Sequence, residues 1–372
     1  LTVLFCDLVG STELSTRLDP EDMAGLIGAY QNQVTREVAR YEGHVAKFLG
    51  DGVLAYFGWP RAHEDDAERA VRAGLAVTDA VARLRTLADE PLAARVGIAT
   101  GLVMVGDMTG ESGTERDAVV GDTPNLAARL QAVASPGSVV VSPDTSVLPG
   151  QLFELDNLGS HDLKGFQKSM CVWRVLGESR AESRFDAMHG AELTPLVGRE
   201  HESALLFDRW QVASASEGQV ALITSEAGVG KSRIIRALRE RLGKNYIPVS
   251  HYGSPHHTNS ALYPVIRLLE RAAGFERADT PEARLAKLEA LLALGSENLR
   301  DVVPLVASLL SLPVDARYPT PALNPRQQKQ QTLEALVGQI QGLAMRQPVL
   351  ALFEDVQWME PTTLELLDMV VQ

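Results

Sequence analysis

Two carboxylates stand near the start of the chain at points where apolar runs stop. Asp7 closes Leu1-Thr2-Val3-Leu4-Phe5-Cys6, and Asp51 lies in the turn of Lys47-Phe48-Leu49-Gly50-Asp51-Gly52. Two carboxylates and a triphosphate repel one another, and hard divalent cations with oxygen ligands are what hold such a cluster together. A pair of such ions activates an attacking oxygen and stabilises both ends of an in-line displacement at phosphorus. Asp7 is followed by Leu8-Val9-Gly10-Ser11-Thr12 and a helix-forming run. The backbone N–H groups of Val9, Gly10, Ser11 and Thr12 are therefore placed to cradle phosphates. Taken singly, Asp7 also fits a helix cap and Asp51 a plain turn residue.

The pair has company. Lys47 precedes Asp51 by four residues on the strand entering the same turn. In Gly121-Asp122-Thr123-Pro124-Asn125-Leu126-Ala127-Ala128-Arg129, Thr123 is expected to cap a helix with Pro124 in its first position. Asn125 and Arg129 then project from one helix face. An amide and a guanidinium suit the orientation of a ribose and the neutralisation of charge at a pentavalent phosphorus. The plain reading of an exposed helix arginine is a solvated charge.

A second set lies further on. Ala221-Leu222-Ile223-Thr224 reads as a strand, and Ser225-Glu226-Ala227-Gly228-Val229-Gly230-Lys231-Ser232 leads into a helix. This is nearly the phosphate loop G-x-x-x-x-G-K-[ST], with Ser225 in place of the first glycine. Gly228, Val229 and Gly230 would wrap ATP, Lys231 would reach its β/γ phosphates, and Ser232 would meet Mg²⁺. The strand 348–353 runs into Glu354, at the usual magnesium-side position, and Asp355, placed to polarise a water. His251, His256 and His257 show no tetrahedral metal spacing and are read as loop residues. Trp358 is read as core or rim.

The elements that position these residues follow from periodicity. The first half reads strand 2–7, helix 20–41, hairpin 44–57, helix 62–88, strands 94–105 and 117–121, helix 124–134, strand 138–142, and a pair at 152–157 and 170–176. The fold class is α/β: a ferredoxin-like βαββαβ core with helices on one face of a largely antiparallel sheet, followed by a partial parallel-sheet P-loop domain. The expected division is a domain over 1–177, a polar linker over 178–193, and a P-loop domain over 194–372 with a strand at 218–224, helices over 260–345, and a C-terminal truncation. The chain opens inside a strand without Met, which suggests a piece of a longer protein.

At 372 residues with 45% hydrophobic content the chain can bury two cores. Its 48 acidic against 35 basic residues, a net charge of −13, argue against a nucleic-acid surface. No run of about 18 apolar residues marks a membrane span, and no signal peptide is visible, so the cytoplasm is expected. Cys6 and Cys171 fit no disulfide or metal spacing, and Cys6 reads as a buried thiol.

The first half resembles the class III adenylate/guanylate cyclase catalytic domain. The resemblance rests on Phe-Cys-Asp-Leu-Val-Gly-Ser-Thr, Lys-Phe-Leu-Gly-Asp-Gly, Val-Gly-Asp-Thr-Pro-Asn-Leu-Ala-Ala-Arg-Leu and the later Leu163-Lys164-Gly165. It implies two Mg²⁺ or Mn²⁺ ions on Asp7 and Asp51, with the Leu8 carbonyl as a further ligand. It also implies Lys47 on the purine edge, Asn125 on the ribose, Arg129 on the transition state and Lys164 on phosphate. Metal ligands come from one protomer and Lys, Asn and Arg from the other, so a homodimer with two sites is implied. ATP is the expected substrate and cAMP the product, with GTP the second choice. Ala118 stands where the family's second purine-reading residue is commonly Asp or Thr, which loosens base discrimination. The second half, with Leu196-Val197-Gly198-Arg199-Glu200 upstream, resembles the AAA-like ATPases of the STAND signalling class, expected here to regulate the cyclase by binding ATP. Further C-terminal regulatory partners are expected and not identified. The rival reading is a non-catalytic cyclase fold kept for nucleotide sensing or dimerisation. Ala118 and Ser225 favour it, and the intact Asp7, Lys47, Asp51, Asn125 and Arg129 weigh against it.

Overall fold

A computed structural model describes the chain except for residues 87–88, 111–112, 180–186, 188–195, 216, 227, 277, 315–316 and 319–322, and except for the side chains of 107–118. The chain divides into two units, Leu1–Glu192 and Leu193–Gln372. Most of the expected linker lies outside the described residues. Among the described residues no helix is long and apolar enough to cross a membrane.

The first unit is built around β1 (Thr2–Leu8), which pairs antiparallel with β3 (Gly52–Phe57) on one side and β4 (Ala94–Thr100) on the other. β2 (His44–Leu49) extends the sheet beyond β3. β7 (Ser138–Val141), β9 (Met170–Glu178) and β8 (Phe153–His161) extend it beyond β4, giving the order β2-β3-β1-β4-β7-β9-β8. Within this sheet, among the described residues, only β4 and β7 run parallel. The expected strand 94–105 breaks at Thr100. β5 (Met104–Gly110) starts a separate two-stranded ribbon with β6 (Gly113–Val120), the observed form of the strand expected at 117–121.

Side chains of a strand alternate between its faces, and β1 uses both. Leu4, Cys6 and Leu8 pack with Tyr30, Val34 and Val38 of α2 (Pro20–Arg40) and Val71, Val77 and Val81 of α3 (Asp66–Ala82). Val3 packs with Ala127 and Leu130 of α4 (Asp122–Val133), together with Ala99. The expectation of helices on one face is thus corrected: α2 and α3 cover one face and α4 the other. α4 lies close because β4 carries Gly97, where a Cβ would collide with the Ala127 carbonyl oxygen and the Gln131 amide nitrogen. The helix expected over 62–88 is shorter at both ends: the His63 amide donates to the Asp66 carboxylate at 2.9 Å, holding a turn before it, and Arg85 pairs with Pro91 in an isolated bridge beyond Ala82. Cys6 is buried with its sulfur 3.1 Å from the Tyr30 hydroxyl, and burial pushes its thiol up to about 12, so it is inert packing.

The second unit pairs β10 (Ile247–Tyr252) parallel with β11 (Val349–Glu354). Its helical core joins Leu262, Val265 and Leu269 with Leu285, Leu288, Leu292, Val303, Val306, Leu333 and Leu366. The strand expected at 218–224 is not formed: residues 217–226 are neither helix nor strand. Val220 and Leu222 are 67% and 85% exposed, and the two-stranded sheet is β10–β11 alone, so the segment has neither the ladder nor the buried face that a strand requires. Glu360 ties the helical core to this sheet's C-terminal end. Burial pushes its carboxyl up, but donors from Leu262, Thr362 and Thr363 outweigh that and hold it below the usual range. His251 lies in β10 rather than in a loop, buried with its ring 4.6 Å from that of Phe353.

Candidate active site

The site in the first unit forms where β1 and the β2–β3 turn end together. In the β1–β3 register Asp7 stands opposite Gly52, which puts Asp51 beside it. The turn itself is tight: Gly50 adopts φ 68°, the left-handed region that favours glycine. Gln31 of α2 fixes it by donating to the Gly50 carbonyl at 2.9 Å. The Ser11 hydroxyl, in the first turn of α1 (Ser11–Arg17), donates to the Asp51 carboxylate. Ser11, expected as part of a phosphate cradle, therefore also braces the metal-side acid.

The two carboxylates are close enough to perturb each other. Burial is the largest influence on Asp7, followed by the negative charge of Asp51 and a shared hydrogen bond, and together they push its carboxyl up to about 6. Arg95 opposes this from β4, where it stands directly opposite Asp7 on the same sheet face. Its Nε is buried with no hydrogen-bond partner among the described residues. The Gln131 side chain reaches in from α4 and donates to Asp7 at 3.1 Å. Sequence reasoning passed over Gln31, Arg95 and Gln131. For Gln131 a signal existed: with Thr123, Ala127 and Leu130 it falls on the buried stripe of α4, where a polar side chain requires a partner.

The donor set fits a hard divalent cation. Two adjacent carboxylates raise each other's affinity for positive charge, and Mg²⁺ characteristically takes one or two carboxylates plus substrate phosphates rather than a full protein cage. Among the described residues no group of three or more His, Cys, Asp or Glu side chains is arranged to hold a metal. A cation on Asp7 and Asp51 would complete its shell from water, phosphate oxygens and the Leu8 carbonyl.

The remaining predicted residues sit apart from the pair. Asn125 and Arg129 are exposed on α4, on the side away from the buried stripe that carries Gln131. Thr123 does not cap α4. Gly121 holds that position, and the buried Thr123 hydroxyl donates instead to the Leu102 carbonyl at 3.4 Å. Lys47 is exposed on β2, and Lys164 is exposed in a turn next to Gly165. The side chain of Ala118 lies outside the described residues.

In the second unit the phosphate loop runs into α7 (Lys231–Leu242), whose N-cap is Gly230. Lys231 is turned onto its own loop, donating to the carbonyls of Ser225 at 2.9 Å and Glu226 at 3.0 Å. The Ser232 hydroxyl donates to Glu354 at the end of β11, so the structure brings together the serine and acid expected to share a magnesium ion. Asp355 follows with φ 56°, in the left-handed region, and the strand ends at Glu354. His251, His256 and His257 form no metal-ligating group among the described residues.

Residues 1–177 match the family model of the adenylate and guanylate cyclase catalytic domain, and residues 195–372 match that of the AAA ATPase domain. An uncharacterised protein of Rhizobium meliloti (strain 1021) is 34% identical over 373 aligned positions, covering 99% of this chain and 35% of its own length. Adenylate cyclase 1 of the same organism is 28% identical over 193 positions, covering 50% of this chain and 29% of its own. Among solved structures, the guanylyl cyclase Cya2 is 31% identical with a TM-score of 0.45, covering 48% of this chain and 92% of that one. The adenylyl cyclase CyaB from P. aeruginosa is 29% identical with a TM-score of 0.44, covering 48% and 94%. The chain spans about a third of the length of these curated relatives. By these family matches the chain is a class III nucleotide cyclase catalytic domain followed by an AAA ATPase domain.

Proposed function

We propose that the first domain converts ATP to 3′,5′-cyclic AMP and pyrophosphate in sites shared between two copies of the chain. The observation that carries this reading is the split on α4. Its buried face supports Asp7 through Gln131, while its exposed face presents Asn125 and Arg129 to the outside. A helix cannot turn both faces to one site, so a second copy would supply the asparagine and arginine to each carboxylate pair. Two divalent ions, when bound, lower the cost of ionising the ribose 3′-hydroxyl and neutralise the triphosphate.

The chain's own residues do the rest. Asp7 and Asp51 fix the position of positive charge, Ser11 and Gln131 orient the two carboxylates, and Asn125 orients the ribose. The 3′-hydroxyl gives up its proton to solvent water, its oxygen bonds to the α-phosphorus as the bond from that phosphorus to the α,β-bridging oxygen breaks, and pyrophosphate leaves with that electron pair. Arg129 stabilises the extra charge on the five-coordinate phosphorus, a contribution of about 3–4 kcal/mol for one preorganised donor. Lys47 donates to the adenine edge. Ala118 offers no polar group, so discrimination against GTP rests on fewer contacts.

The second domain is proposed to bind Mg²⁺–ATP through Gly228, Val229, Gly230, Lys231, Ser232 and Glu354, with Asp355 polarising water, and to regulate how two cyclase domains pair. The deciding experiment incubates the purified chain with Mn²⁺ or Mg²⁺ and either ATP or GTP, and identifies products by mass spectrometry. Cyclic AMP from the parent chain and none from Asp51→Ala is the expected result. No cyclic product from either nucleotide, under conditions where the chain dimerises, overturns the catalytic reading in favour of a sensing or dimerisation module.

A further inference from the structure

We propose that Gln131 is a positioning residue that locks the Asp7 carboxylate to helix α4, so that divalent-metal affinity at the pair depends on the seating of the helix that carries Asn125 and Arg129. The inference rests on the metal-site reading above and adds to it the residue that sets the geometry of one ligand.

Gln131 is 7% exposed, so water does not compete for its amide. Its Nε2 lies 3.1 Å from Asp7 Oδ2. An ionised carboxylate only accepts, so the nitrogen of the amide is the atom that must face it. Held this way, Oδ2 has one lone-pair direction committed to the helix, and the rest of the carboxylate is left to face Asp51 and a cation. Groups that hydrogen-bond a metal-ligating carboxylate set its orientation, and losing one typically costs about 10–100-fold in metal affinity or activity.

The helix end of this link is equally fixed. The Gln131 backbone nitrogen is one of the atoms a Cβ at residue 97 would strike, so the turn of α4 that carries the side chain rests directly on the backbone of β4. β4 in turn is hydrogen-bonded to β1 through the Asp7–Arg95 register. Asp7, β4 and α4 thus form a closed loop of contacts, closed by the side-chain hydrogen bond from Gln131 to Asp7. Asn125 and Arg129 ride on the outer surface of the same twelve-residue helix.

The test uses Mn²⁺ titration of the whole chain without nucleotide, read as the rise in melting temperature, with Asp7→Ala as the control that abolishes the response. Gln131→Met and Gln131→Leu keep most of the side-chain volume and delete the donor. The expected result is a Mn²⁺ half-saturation concentration raised about tenfold in a variant that still melts cooperatively without metal. An unchanged half-saturation in such a variant overturns the proposal, as does failure of both variants to fold, which assigns Gln131 to core packing. A parent chain with no Mn²⁺ response overturns the metal-site reading itself, a different outcome from a parent response that the variants retain in full.

Discussion

The Ser11 hydroxyl donates to the Asp51 carboxylate across forty residues of sequence, joining the first turn of α1 to the β2–β3 turn. Ser11→Ala removes the donor without filling space and leaves Asp51 free to rotate. The expected outcome is a Mn²⁺ half-saturation raised about tenfold, with the melting temperature of the metal-free protein changed little. A melting-temperature titration checks both halves of the statement.

Metal-free protein carries the cost of the carboxylate pair. The Asp7 carboxyl, pushed up to about 6 from 3.8 by burial and by Asp51, holds its proton longer in the folded state than in the unfolded chain. Stability contributed by that group is present at low pH and is lost as pH rises through 6. Asp51→Asn removes the like charge and keeps an oxygen to accept from Ser11. Discounted for partial solvent exposure, the gain is about 1 kcal/mol, or roughly 2–4 °C at neutral pH without metal. Mn²⁺ should reverse the order, raising the melting temperature of the parent chain and not that of the variant.

Gly97→Ala places a methyl group against the Ala127 carbonyl and the Gln131 amide, both backbone atoms that cannot swing aside. Either α4 lifts or β4 bends, at a cost of about 1–3 kcal/mol. Chemical denaturation of the first unit should show that loss. Cyclase turnover should fall further than stability does, because Asn125 and Arg129 move with the helix.

His251 gives the second unit a pH dependence of opposite sign. Burial disfavours its imidazolium and lowers its pKa from 6.5 to about 4. Above 6.5 both folded and unfolded states hold it neutral, and its contribution to stability is fully present. As pH falls from 6.5 towards 4 the unfolded chain takes up the proton first, and up to about 3 kcal/mol is lost. Urea midpoints of the second unit at pH 7 and pH 5 measure the loss, and His251→Phe should flatten the difference.

The strands and helices of the first unit were largely legible because β1, the hairpin and α2 follow simple periods, and Gly50-Asp51-Gly52 marks the turn. The face of the sheet that each helix covers was not legible, since the apolar positions of Ala127 and Leu130 do not name a side, and the close approach at Gly97 joins segments distant in sequence. Ser11, Asp7 and Asp51 stood out as residue types, but hydrogen bonds over 40 and 124 positions depend on tertiary placement that no local pattern encodes. Thr123-Pro124 carried a capping signature that lost to a more distant acceptor, the Leu102 carbonyl. At 218–224 the apolar run was real, yet a strand is a relation between segments, and Val220 and Leu222 have no neighbour on that edge among the described residues.

β1 divides its positions by parity: Leu4, Cys6 and Leu8 serve the helix-packed interior, while Val3, Phe5 and Asp7 serve the side that α4 and the turn share. Substitutions at Leu4 or Cys6 therefore act on packing, whereas the odd side mixes the two roles, with Val3 and Phe5 in a second core and Asp7 at the site. Heat tolerance can thus be retuned from the even positions of this seven-residue strand, while a change at Val3 or Phe5 disturbs the floor on which Asp7 stands.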